Sequence, residues 1–84
     1  MYENFIKPYI DKLNKEDIIK FAKNNDVSLE NYELDIIYNY IKNDWKTLIF
    51  GNPTSIFDDL KLKLKEKNYN KCVVLYNKYK SKIF

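Results

Sequence analysis

The chain has no histidine and no arginine, and only one cysteine, one glycine and two prolines in 84 residues. Each scarcity removes something. General acid–base catalysis near neutral pH leans on His, and a nucleophile needs a base beside it. With neither available, no catalytic residue is expected and the chain reads as a non-enzyme. One Cys excludes an intramolecular disulfide, and its isolation from His excludes a conventional zinc cluster. Without Arg there is no planar, bidentate fork for reading phosphates or base edges. So little Gly and Pro leaves too few tight turns for a β-sandwich or barrel. No apolar run approaches the roughly 20 residues that span a bilayer. No basic region followed by an apolar run opens the sequence, so no secretory signal is expected. The expectation is a soluble cytoplasmic protein with no cofactor, no metal, no small-molecule substrate and no membrane partner.

What is present is apolar and helical. The stretch YELDIIYNYIKNDWKTLIF, residues 32–50, places Leu34, Ile37, Tyr38, Ile41, Trp45 and Leu48 on one face at 100° per residue. Ile36 and Tyr40 add a second apolar stripe beside it. A helix this apolar is expected at the centre, with others packed on several sides. At this length the chain forms one domain, residues 1–84, that hides about 60–65% of its unfolded surface. An aromatic share of 17% enlarges that thin core. The fold expected is all-α: a small orthogonal or irregular bundle of four to five short helices around the central apolar one.

Taken in order, Phe5, Ile6, Tyr9, Ile10 and Leu13 make a helical face that Pro8 interrupts. The helix either begins at Pro8 or starts earlier and kinks there. Asn14 caps a second helix over Lys15 to Asn24, with Asp17 completing a short capping box and Leu13 and Ile18 at staple positions. Ile18, Phe21 and Ala22 are expected inward. Asn24-Asn25-Asp26 ends the helix, Asn being tolerant of the left-handed stop, and Val27 and Leu29 point inward across the connector. The central helix starts near Glu30 or Asn31, where Glu33 and Asp35 suit its N-terminal dipole. It either runs to Phe50 or breaks at Asn43-Asp44, with Gly51 as terminator. Asn52-Pro53 signals the next start, as cap and first helical residue, and Ile56, Phe57, Leu60 and Leu64 share a face. Leu60 to Lys65 also alternates like a strand, but the cap and the wider 3.6 period favour helix and leave Leu62 outward. Asn68 is expected to cap the last helix. Tyr69, Cys72, Val73, Tyr76, Tyr79 and Ile83 then form its inner face, with Lys71, Lys78 and Lys82 opposite.

Charge is uneven. Residues 1–52 hold seven Lys against nine acids, and residues 53–84 hold eight Lys against three. Lys61, Lys65, Lys71, Lys78 and Lys82 are the candidate anion surface, able to bind phosphates without sequence preference. A solvated outer face explains the same lysines, and the codon bias of a low-GC genome would make Lys, Asn, Ile and Tyr common. Cys72 reads as a buried hydrophobe. Glu16-Asp17 and Asp58-Asp59 read as first-turn dipole partners. Asn24, Asp26, Ser28 and Asp35 fall at calcium-loop positions, but Leu29 stands where Gly is needed and Asp35 where Glu is. A surplus of apolar residues is the more telling feature. Ile36, Tyr40, Trp45, Phe50 and Leu62 are the candidate partner surface, although core explains Trp45 equally well. The leading expectation is a non-catalytic protein-binding module, dimerising through Ile36 and Tyr40 as one form of it. The alternative is a weak nucleic-acid binder using the C-terminal lysines.

Asp17-Ile18-Ile19-Lys20-Phe21-Ala22-Lys23, then Val27-Ser28-Leu29, then the long helix and the Ile49-Phe50 turn, form a pattern that resembles the YqfT-like family of small uncharacterised proteins of Bacillales. The resemblance runs from about Leu13 to Tyr79 and is carried by helix faces and caps. It implies a small intracellular bacterial helical protein and no functional site.

Overall fold

A computed structural model describes residues 2–83. It is all-α: α1 (Tyr2–Lys12), α2 (Lys15–Asn24), α3 (Asn31–Phe50), α4 (Thr54–Lys63) and α5 (Glu66–Ile83), with no strand among the described residues. The chain divides into two compact units, Met1–Asn52 and Pro53–Phe84.

In the first unit, α1 and α2 both pack on α3. Leu34 and Trp45 are buried, and Ile37, Tyr38, Ile41 and Leu48 are half-buried, so the face expected inward is the inward face. Polar bonds then fix the helix ends. Asn14 Oδ1 accepts from the Asp17 N–H at 2.9 Å, and Asp17 Oδ2 accepts from the Asn14 N–H at 3.0 Å, closing the capping box of α2. At the other end the Val27 N–H reaches Ala22 O at 2.8 Å and the Asp26 N–H reaches Lys23 O at 3.2 Å. That is a Schellman stop, and its left-handed residue is Asp26, φ 60°. The turn was expected to exploit Asn; the hydrogen bonds select the position two residues past Asn24, which Asp occupies. Val27 and Ala22, buried together beneath the stop, supply its apolar side.

α3 opens with the Glu30 N–H donating to Glu33 Oε1 at 2.9 Å, the reach-back bond of a capping box. Asp44 has non-helical angles, φ −125° and ψ 23°, and helix continues on both sides of it to Phe50. Of the two alternatives, an unbroken helix or a break at Asn43-Asp44, the structure has a kink at Asp44 that joins two helical pieces. Gly51 ends α3 with φ −108°, not in the left-handed region. Its role is steric: a Cβ there would meet the Thr47 Cα and O at 3.2 Å.

α1 runs through Pro8, settling where it starts. Pro8 and Asn4 are both exposed, so the helical bond that Pro8 cannot make is lost at the surface and not in the core. Phe5 and Tyr9, expected inward, are 74% and 78% exposed, and Phe21 is also exposed. Among the described side chains of α1, only Ile6 and Ile10 turn toward cover. Five apolar positions spread over roughly 140° of a helix, more than one neighbouring helix covers.

In the second unit α4 packs on α5. Ile56, Leu60 and Leu64 are buried, and the Phe57 and Tyr76 rings meet at 4.8 Å between centroids. Leu62 points outward as expected, 87% exposed. α4 begins at Thr54 with Pro53 in the cap position, one residue later than expected. α5 begins at Glu66, so Asn68 is not its cap. The Tyr69 N–H already donates to Lys65 O at 2.8 Å, and Asn68 is buried inside the first turn. Tyr69, Cys72, Val73 and Tyr76 are half-buried on the inner side, whereas Tyr79 reaches solvent. The side chain of Ile83, expected beside them, lies outside the described residues.

Candidate interaction surfaces

Lys42 organises the first unit. From α3 its ammonium donates to Ile10 O at 2.7 Å, Asp11 O at 3.1 Å and Leu13 O at 3.1 Å. These carbonyls lie at and just past the end of α1, where the helix dipole is negative, and Ile10 O also accepts from the Leu13 N–H at 3.1 Å. One cation thus caps α1 and fastens it to α3. The Tyr38 ring lies 5.8 Å from the same ammonium and 5.5 Å from that of Lys15. Lys15 in turn pairs with Asp35 at 2.7 Å, tying α2 to α3. Neither was foreseen: the carbonyl acceptors of Lys42 leave no mark in the sequence, and Lys15 meets the Asp35 carboxylate from twenty residues away.

Glu33 is 0% exposed, the most enclosed side chain described. No buried side-chain polar atom among the described residues lacks a partner. Its burial was legible in part: at 100° per residue it falls about 40° from Ile37, on the apolar arc.

The five residues expected to form a partner surface do not share one situation. Trp45 is 8% exposed and belongs to the core, its ring edge-on to Phe50 at 6.4 Å. Core burial therefore removes it from any partner surface. Ile36 and Tyr40 are half-buried neighbours on α3. Phe50 is exposed at the end of α3, and Leu62 is exposed in the other unit. What the sequence reading missed is α1, where Phe5 and Tyr9, four residues apart, put two rings side by side in solvent.

All five lysines of the candidate anion surface, Lys61, Lys65, Lys71, Lys78 and Lys82, are exposed. Lys71, Lys78 and Lys82 share the outer side of α5, and Lys67 joins them. Lys61 lies on α4, and Lys65 precedes α5.

Among the described residues no group of three or more His, Cys, Asp or Glu could hold a metal ion. No described helix is long and apolar enough to cross a membrane. The class defined is thus a small all-α protein whose notable features are surfaces. No family model, curated protein or solved structure matches the chain.

Proposed function

We propose that the chain is a non-catalytic module that binds a protein, a second copy of itself being the first partner to test. The observation that carries this reading is the pair Phe5 and Tyr9. Two large rings held in water on one helix face forfeit burial free energy that a partner would recover, at roughly 25 cal/mol per Å² of apolar surface covered. Lys42 adds support by holding α1 against α3, so that the rings ride on an anchored helix. An anchored apolar pair loses less entropy on binding than one on a floppy segment.

Light scattering across a concentration series tests the self-binding form. The chain has a mass of 10.2 kDa. A dimer at high concentration that reverts to this mass in Phe5→Ser/Tyr9→Ser supports the reading. A monomer at every concentration removes self-association, and a dimer indifferent to both substitutions removes α1 as its seat.

A further inference from the structure

We propose that the outward face of α5 is a sequence-independent binding surface for the backbone of a nucleic-acid duplex. This goes beyond the protein-binding reading and does not depend on it, since it uses other residues in the other unit. At 100° per residue Lys67, Lys71, Lys78 and Lys82 fall within roughly 60° of one another on α5. All four are exposed. Lys67 and Lys82 lie 15 residues apart, about 22 Å along the helix at 1.5 Å per residue. Asn70, Asn77 and Ser81 are exposed along one flank of the stripe and offer neutral donors to phosphate oxygens. After Glu66 no acid follows in the sequence. Among the described residues no ion pair engages a lysine of α5, whereas Lys7, Lys15, Lys46 and Lys63 are each paired elsewhere. Four unneutralised cations in a straight row complement a polyanion, and binding releases the counterions condensed on it.

The occupant follows from what lies behind and between the lysines. A membrane-surface helix sinks its apolar side among lipid chains. The apolar side of α5 is turned toward α4, with Phe57 against Tyr76 and with Tyr69, Cys72 and Val73 half-buried, so only part of it is open to lipid. Single strands are held by open aromatic faces on which bases stack. Here the Tyr79 ring has the ammonium groups of Lys78 and Lys82 over it at 5.5 and 5.2 Å, and Tyr76 has that of Lys80 at 5.3 Å. Arg, the residue that most often reads base edges in the major groove, is absent from the chain. What remains is a regular array of phosphates read without regard to sequence.

The test is anisotropy of a labelled 20-base-pair DNA duplex titrated with the full chain over a series of salt concentrations. Binding should weaken with salt at a log–log slope of about −3.6, four phosphates at −0.9 each. Lys71→Glu/Lys78→Glu should weaken binding at least tenfold at low salt and bring the slope to about −1.8 or shallower. Lys20→Glu/Lys23→Glu, which changes net charge equally from the exposed side of α2, should leave the slope unchanged. Circular dichroism checks that each variant keeps its helices, and Lys71→Gln/Lys78→Gln stands in if charge reversal unfolds the chain. Absence of salt-dependent binding overturns the proposal, as does equal weakening by both charge-reversal pairs. Tighter binding to single-stranded DNA, to polyglutamate or to vesicles rich in anionic lipid, at matched charge, overturns the assignment to a duplex.

Discussion

Both units bury apolar side chains, Ile18, Ala22, Val27, Leu34 and Trp45 in one and Ile56, Leu60 and Leu64 in the other, and they differ in the polar bonds added to them. Met1–Asn52, with more acids than lysines, fastens helix ends with polar bonds. These are the Asn14–Asp17 box, the stop at Asp26, the Glu30–Glu33 bond and the three carbonyls under Lys42. Pro53–Phe84 relies on one apolar seam, Ile56, Leu60 and Leu64 with Phe57 on Tyr76, and leaves most of its lysines in water. The difference teaches how charge is used. Where a cation meets helix-end carbonyls it becomes structure; where it meets solvent it is available to a ligand.

Substitutions can break that contrast. Leu60→Ala should cost about 2–5 kcal/mol, because it opens a cavity in the seam of the second unit. Urea unfolding followed by circular dichroism measures it, and a loss below about 1 kcal/mol would mean the seam collapses without cost. In the first unit Glu33→Ala should cost about 1–3 kcal/mol by stranding the Glu30 N–H and leaving a hole. The same unfolding curve reads it. Asp26→Gly should stabilise by about 0.5 kcal/mol, relief of the left-handed strain being partly offset by a more flexible unfolded chain. A rise in melting temperature is the sign to look for, and a fall would show that the Asp26 side chain does more than occupy the turn. Lys71→Met should change stability by less than about 0.5 kcal/mol, as expected of an exposed cation with no structural partner.

Much of this architecture was readable in advance, and the misses share a cause. Asn14 with Asp17 announced α2 correctly because a capping box is a local device: both partners lie within four residues. The inward face of α3 was readable because six apolar residues kept one period over four turns. Phe5, Tyr9 and Phe21 were misplaced because periodicity locates an apolar face but not how wide a neighbour will cover it. Asn68 misled because cap preference says nothing of where the preceding helix ends; α4 gives way after Lys63, and Glu66 begins the next helix. Trp45 and Phe50 resemble each other on paper, yet one is core and the other exposed. Lys42 was invisible, since its partners are backbone atoms about thirty residues away, identified by fold and not by residue type.

Lys42 and Lys46 therefore offer the sharpest comparison. Both reach from α3 to α1, the first to three carbonyls and the second to an exposed carboxylate of Glu3 at 3.7 Å. Amide hydrogen exchange across α1 should be read in Lys42→Met and Lys46→Met side by side. If polar ties to helix ends hold this unit, Lys42→Met speeds exchange of the α1 amides about tenfold, near 1.4 kcal/mol, and Lys46→Met leaves them within about twofold. Equal rates in the two variants, or α1 protection untouched by Lys42→Met, would contradict it.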